Sequence, residues 1–360
     1  MKYIKEYRDR DLARILVKRI NTYDGPPVRF MEVCGGHTMA IQKFGIPSLL
    51  PDHVSLVSGP GCPVCVTSLQ FVDHAIALGR RSDVIITTYG DLIRVPGSFS
   101  SLEHEKSRGS DIRMVYSTLE ALSIARENPS KNVVFLGIGF ETTAPASAVA
   151  LTQARRENMD NFFLLSAHKV MPPAMAAIVD EKVKISGYLA PGHVSTITGS
   201  EIYRDIADTY GLPVVVSGFE PSDILQSIHM LLEQRQRGRA EVEIQYMRVV
   251  KPEGNLKART LLEDVFDYRD DWWRGLGVLP LSGLGISEAY ARWDAEHHFE
   301  VEVAPAAEPE GCICGEVLKG VSHPTDCILY DSVCNPANPV GTCMVSEEGA
   351  CQAFYKYGTQ

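Results

Sequence analysis

Val28-Arg29-Phe30-Met31-Glu32-Val33 runs directly into Cys34-Gly35-Gly36-His37-Thr38, and a helical stretch follows from about Met39. A short run rich in β-branched and aromatic residues that breaks on glycines and turns into helix is the start of a βα unit. In α/β sheets ligands bind outside the carboxyl ends of the strands, which is where this turn falls. The two glycines let the backbone turn sharply and approach a ligand closely. Amides at a helix start favour anions and lower a thiol's pKa, so the local sequence predicts Cys34 as a thiolate ready for a soft metal or an electrophile. His37 then falls where it would donate a hydrogen bond to a metal-bound ligand. A Gly-rich turn with an incidental cysteine has the same local sequence, and this loop alone does not separate the two.

Outward from this turn the same alternation continues. Candidate strands are 28–33, 54–58, 84–88, 133–138, 162–166, 188–190 and 214–217. Helical stretches lie at 69–78, 117–127, 142–157, 173–181 and 222–236. Strands alternating with helices predict parallel sheet covered on both faces. Residues 9–22 read as an amphipathic helix, with Leu12, Ile15, Leu16 and Ile20 at helical spacing, ended by Asp24-Gly25-Pro26-Pro27. The polar run Asn128-Pro129-Ser130-Lys131-Asn132 is the expected boundary between two α/β units. The expected organisation is therefore an N-terminal helix (1–24), a first α/β domain (25–129), a second (130–245) and a third region (246–360). A linker is expected at 303–309, before a tail rich in Cys, Gly and Pro that needs a metal to order it. The segment Gly-Phe-Glu follows an apolar run twice, at 139–141 and 218–220.

With 360 residues, the chain is longer than one ordinary core organises. Its net charge of −10 and lack of a Lys/Arg-rich run exclude a general nucleic-acid binder. No long uncharged apolar stretch predicts a membrane span. The charged start, Met1-Lys2-Tyr3-Ile4-Lys5-Glu6-Tyr7-Arg8, lacks a signal peptide's apolar centre. A cytoplasmic protein is expected, in which structural disulfides are rare.

The nine cysteines then call for another use. Cys34, Cys62 and Cys65 lie near the start, while Cys312, Cys314, Cys327, Cys334, Cys343 and Cys351 crowd the tail, with none between. Cysteine used as a small core hydrophobe would not cluster in this way. Cys314, Cys327, Cys334 and Cys351 supply four thiolates from one segment, which suits a 4Fe-4S cluster or, with less typical spacing, tetrahedral zinc, with disulfides or plain thiols as the remaining reading. Cys312 and Cys343 remain as a possible dithiol pair beside it. Gly59-Pro60-Gly61-Cys62-Pro63-Val64-Cys65 follows the second strand, and Cys-Pro-x-Cys opening a helix is a thiol-redox signature, although half of a zinc knuckle has the same spacing.

Further polar groups sit at later strand ends. Asp91, Glu141, His168 and His193 are expected as acid/base or hydrogen-bonding groups in a cleft between two α/β units; each taken alone also reads as a helix cap or loop residue. Gly137-x-Gly139 is only a fragment of a dinucleotide fingerprint, and no P-loop is present.

Taken together, Cys34-Gly35-Gly36-His37-Thr38, the Gly59–Cys65 segment, Gly139-Phe140-Glu141-Thr142-Thr143-Ala144-Pro145, Pro191-Gly192-His193-Val194-Ser195 and the Cys314-x12-Cys327-x6-Cys334-x16-Cys351 tail resemble the HypD family of hydrogenase maturation proteins, along essentially the whole chain. The resemblance implies two facing Rossmann-like α/β domains with parallel sheets, plus a C-terminal iron–sulfur domain. It implies a scaffold on which the Fe(CN)2CO group of nickel–iron hydrogenase is assembled. The HypC chaperone would share the iron, and HypE would deliver cyanide, with HypF upstream. Carried over by motif, Cys34 is the iron ligand, Cys62 and Cys65 the cleft dithiol, and Cys314, Cys327, Cys334 and Cys351 the cluster ligands. Cys312 and Cys343 match a thiol pair that only some members possess. Met39 departs from the family pattern, in which a histidine commonly follows the threonine. The expected course is that reducing equivalents pass from the cluster through Cys312/Cys343 to Cys62/Cys65 and serve ligand attachment at iron on Cys34. The rivals are a cluster-dependent protein-disulfide reductase and a non-catalytic scaffold with a purely structural cluster.

Overall fold

All seven expected strands are present, at β1 (Val28–Glu32), β2 (Val54–Ser58), β3 (Val84–Thr88), β5 (Asn132–Gly139), β6 (Phe162–His168), β7 (Gly187–Pro191) and β8 (Val214–Ser217). The structure is a computed structural model, and it describes residues 8–181, 183–303, 306 and 308–358. Most of the charged start and part of the linker expected at 303–309 lie outside the described residues. The expected helices are found as well, from Arg10–Ile20 to Pro221–Gln236. Strands β3, β6 and β7 are buried along their whole length, as unbroken apolar runs in a sheet covered on both faces must be.

With β4 at Ile112–Met114 and β9 at Val242–Ile244, the strands form two parallel sheets, β2-β1-β7-β8-β9 and β4-β3-β5-β6. Two members, β4 and β9, lie outside the sequence expectation. Each is a three-residue edge strand, too short to carry a periodic signal.

The expected division near residue 129 does not match this sorting of strands. Strand β1 pairs with β7, with Phe30 opposite Gly187 and Glu32 opposite Leu189. The chain therefore leaves the first sheet after β2, builds the whole second sheet, and returns at β7. Periodicity identifies strands but does not say which neighbour a strand pairs with, so it carries no signal of this return to the first sheet.

The region after residue 246 also holds structure that the sequence did not announce. Strands β10 (Phe266–Trp273) and β11 (Gly277–Ile286) form an antiparallel hairpin whose register shifts between Arg269 and Asp271. The hairpin docks on the end of β6. Lys169, almost fully buried, donates from Nζ to Asp271 Oδ2 at 2.7 Å and to the Trp272 carbonyl at 2.8 Å. Ser166 Oγ donates to the Leu284 carbonyl at 2.7 Å. Just past the hairpin's first strand, buried Arg274 donates to the carbonyls of Cys65 and Thr67, each at 3.0 Å, and pins the Cys62–Cys65 turn from below. One continuous apolar cluster runs from Val33 and Tyr188 through Ile86 and Leu136 to Cys343 and Met344 of the tail. Among the described residues no helix is long and apolar enough to cross a membrane.

The closest approach between the first two βα turns is at Gly61. A side chain there would collide with the backbone of Val33 and Cys34, and Gly35 N–H donates to the Gly61 carbonyl at 2.9 Å. Because the obstacle is backbone, it cannot move aside as a side chain would. Gly61→Ala is expected to cost about 1–3 kcal/mol of stability, read by urea denaturation; an unchanged midpoint would show that the turns separate freely.

Candidate functional site

Five strand ends meet at one cavity of ≈340 Å³. Its walls carry Cys34 after β1, Gly61 and Pro63 after β2, and Tyr89 and Asp91 after β3. Gly139 and Phe140 come from the end of β5, and His193 follows β7. Carboxyl ends of both sheets thus share one opening, as ligand-binding α/β folds require. Ser346 and Glu348, from the cysteine-rich tail, complete the wall. Glu348 had no distinguishing sequence signal. It packs so tightly against Gly35 that a side chain at that glycine would overlap its Cβ.

Cys34 is the N-cap of the helix Gly35–Lys43. Its backbone N–H donates to Glu32 Oε2 at 3.0 Å, and Thr38 Oγ1 donates to Glu32 Oε1 at 2.6 Å. A buried carboxyl therefore clamps both sides of the turn. Burial raises the Glu32 pKa to about 8, partly offset by these hydrogen bonds. The same environment reverses the expectation for Cys34. Burial, reinforced by the Glu348 carboxylate, pushes the thiol up to about 12. The helix amides do lower it, but desolvation and neighbouring negative charge outweigh them. Cys34 is therefore held as a protonated thiol, not a standing thiolate.

His37 also differs from expectation. Its Nε2 lies 2.9 Å from the Gly218 carbonyl and 3.2 Å from that of Ser217, so Nε2–H is used within the protein. Burial lowers its pKa to about 4, and Nδ1 has no partner. The ring is thus neutral and has no N–H left to offer a ligand. Phe219 stacks against His37 at 4.6 Å and against His193 at 4.0 Å. Gly36 and Gly192 leave room for this ring. Phe219 belongs to the second Gly-Phe-Glu segment, and the repetition was its only sequence signal. Its counterpart Phe140 lies in the cavity wall and stacks on Trp273 at 5.9 Å.

Of the four polar groups expected together, Asp91 and His193 line this cavity. His168 is buried elsewhere, with Nε2 2.9 Å from Ser147 Oγ. Glu141 faces a different cavity. Just past the end of β5, Phe140, Thr142 and Thr143 line the cleft, whereas the Glu141 carboxyl turns away to accept the Met171 N–H at 3.0 Å.

Cys62 and Cys65 are joined as a disulfide, with Cα atoms 5.2 Å apart. Both are buried, and Pro63 and Val64 present the turn to the cavity. Beneath them lies the tail. Thr342 Oγ1 donates to the Cys65 carbonyl at 3.2 Å, which sets neighbouring Cys343 beside the disulfide turn. Cys312, Cys314, Cys327, Cys334 and Cys351 line a second, small apolar void. Cys343 is hydrogen-bonded to Cys314 and Cys351, so Cys312 and Cys343 each adjoin Cys314. A side chain on Gly341 would lie 2.6 Å from Cys312 Sγ and 2.7 Å from Cys314 Sγ, so this glycine keeps the sulfurs' space open. Thiol–thiol hydrogen bonds and burial raise the Cys314 and Cys351 pKa values well above the usual thiol range. Among the described residues no three His, Cys, Asp or Glu side chains are placed to hold a metal ion.

With this geometry in view, the comparisons with known proteins agree. The HypD profile, described as the hydrogenase formation hypA family, matches residues 11–358. The chain is 47% identical over 370 residues to hydrogenase maturation factor HypD of Azotobacter vinelandii, covering 100% of this chain and 98% of that one. It is 45% identical over 369 residues to the factor of the same name from Cupriavidus necator, covering 99% and 97%. The Rhizobium leguminosarum bv. viciae factor is 46% identical over 369 residues, covering 99% and 96%.

Two outcomes test the electrostatics. Removing the Glu348 charge lowers the Cys34 pKa, so Glu348→Gln is expected to speed alkylation of Cys34 at fixed alkaline pH by about threefold to tenfold, mapped by mass spectrometry. An unchanged rate would leave Glu348 without influence. For Glu32 the folded pKa is about 8 against an ordinary 4.5. The folded state holds this proton more tightly, so the contribution is complete below the unfolded pKa and is lost as pH rises through about 8. Urea unfolding should show wild type losing stability across this range more steeply than Glu32→Gln, by roughly 2–4 kcal/mol.

Proposed function

The chain belongs to the HypD family of hydrogenase maturation proteins, and from that premise we propose that it is the scaffold on which the iron group of a nickel–iron hydrogenase is put together. The observation that carries this reading is Cys34: one protonated thiol beside the buried Glu32 carboxyl and the Glu348 carboxylate, in a cavity that the carboxyl ends of two sheets share. The substrate is an iron ion that acquires cyanide and carbonyl ligands to become Fe(CN)2CO. Thiolate suits such soft, strong-field chemistry better than carboxylate does.

Binding converts the thiol to a thiolate as the cation replaces the proton, and the proton leaves through the cavity. Desolvation, with the Glu348 carboxylate beside it, holds the thiol protonated, and that carboxylate also favours the incoming cation. His193, at the cavity wall with its pKa lowered by partial desolvation, presents a neutral imidazole to diatomic ligands. Asp91 faces the same space. His37 holds the turn against the end of β8 through Ser217 and Gly218 and acts through Cys34's position. By dithiol–disulfide exchange, the Cys312/Cys343 pair would become a disulfide and give two electrons and two protons to Cys62–Cys65, which opens to two thiols next to the iron-binding turn.

The tail fits a resident 4Fe-4S cluster by the chemistry of its donor set. Each thiolate of such a cluster binds a different iron, so its ligands stand around a void and not around a point. Cys314, Cys327, Cys334 and Cys351 would hold it, with Cys312 and Cys343 as neighbouring thiols. When bound, the cluster would supply one-electron chemistry. Partners are other maturation proteins: the HypC chaperone, sharing the iron at the cavity mouth, and HypE, bringing cyanide made with HypF. Cytoplasmic location accords with reduced thiols.

Anaerobic co-purification with the HypC chaperone, followed by iron analysis and infrared spectroscopy, tests the scaffold. Wild type is expected to carry iron with cyanide and carbonyl stretching bands, and Cys34→Ala to lose both while keeping its thermal midpoint. Retention of the bands in Cys34→Ala would sink the assignment.

A further inference from the structure

The cavity that Glu141 faces has no role in the scaffold just described. It measures ≈540 Å³ and shares no lining residue with the thiol cleft. That is within the range of roughly 300–1,000 Å³ typical of small-molecule sites. Pro172, Pro173 and Leu262 give it an apolar wall. Leu281, at φ 50°, adds another apolar side chain from the hairpin in a backbone conformation that non-glycine residues seldom adopt.

Within this wall Glu141 is 4% exposed. Its Oε1 accepts the Met171 N–H at 3.0 Å, while Oε2 is buried without a partner. An unpaired buried carboxyl oxygen is costly, and such groups in native proteins call for an explanation. The rest of the lining narrows what would pair with it. Glu263 and Asp267 add negative charge against a single guanidinium, Arg259, which already donates from Nη1 to the Glu253 carbonyl at 2.9 Å. An excess of carboxyls repels an anion and draws a cation. Burial holds the Glu141 pKa at about 7, so a bound cation would need to displace its proton only partially at neutral pH.

We propose that this cavity binds a small amphipathic amine, with its ammonium group on Glu141 Oε2 and its apolar body against Pro172, Pro173 and Leu262. A charge-assisted N–H···O bond satisfies the one unpaired acceptor, and the wall buries the remainder of the ligand. The inference is independent of the iron-scaffold reading, because it uses none of the cysteines.

Calorimetric titration of the full chain near neutral pH with phenethylamine tests it, with phenethyl alcohol and phenylpropionate as neutral and anionic counterparts. The amine is expected to bind at least about tenfold more tightly than the alcohol, as a charged hydrogen bond to a buried group implies. The anion is expected not to bind. Glu141→Gln should abolish the preference for the amine, and Leu262→Trp, which narrows the wall without altering the carboxyl, should weaken amine binding with the thermal midpoint retained. Equal affinity for amine and alcohol, no binding of the amine, or full binding by Leu262→Trp would each overturn the proposal. The Leu262→Trp result decides the location even if Glu141→Gln fails to fold.

Discussion

The parallel pairing of β1 with β7 is the constraint from which the rest follows. Parallel neighbours need a crossover connection, and here that crossover contains an entire second sheet. The pairing sets Cys34 at the end of one strand beside Pro191 and His193 at the end of its neighbour. It also fixes where the second sheet's strand ends face, because chain leaves the first sheet after β2 and must return to β7. The cavity is a product of this topology more than of any single loop.

Within that frame, close backbone approach and buried charge do the positioning. Gly61 lets the first two turns touch, with the Gly35 N–H donating to its carbonyl, and Glu32 clamps the Cys34 turn with both carboxyl oxygens. Glu348 then seals the turn from the tail and adds negative charge where a thiol waits. Desolvated acids of this kind hold their protons to higher pH than they would in water. Arg274 and Thr342 connect the disulfide turn to the hairpin and the thiol-lined tail, so the three cysteine groups form one connected region. The two Gly-Phe-Glu segments show how one local motif serves different ends. Phe140 lines the cleft wall and Glu141 turns to a separate cavity, whereas Phe219 spaces two histidines.

Much was legible in the sequence because it was local. An apolar run followed by a glycine turn and a helix is a βα unit wherever it occurs, and all seven strands and the major helices follow from that pattern. Cysteine clustering and spacing likewise marked the turn at Cys34, the Cys62–Cys65 pair and the tail. The two short edge strands and the hairpin at 266–286 were not legible. Three residues carry no period, and the hairpin's charged residues Asp267, Arg269, Asp270 and Asp271 mask its alternation.

What only the tertiary structure decided depends on neighbours remote along the chain. Strand partners decided that the second sheet is an insertion and not a consecutive domain. Side-chain direction at one strand end decided that Glu141 leaves the cleft while His193 stays. Burial beside Glu32 and Glu348 decided that Cys34 keeps its proton, against the helix-end effect that the local sequence suggests. The sequence by itself determined on which strand-end turns the candidate cysteines and their neighbours sit, since those are properties of short segments. Protonation, pairing and shared cavities were settled by the fold, since desolvation and electrostatic fields are sums over everything that packs around a group.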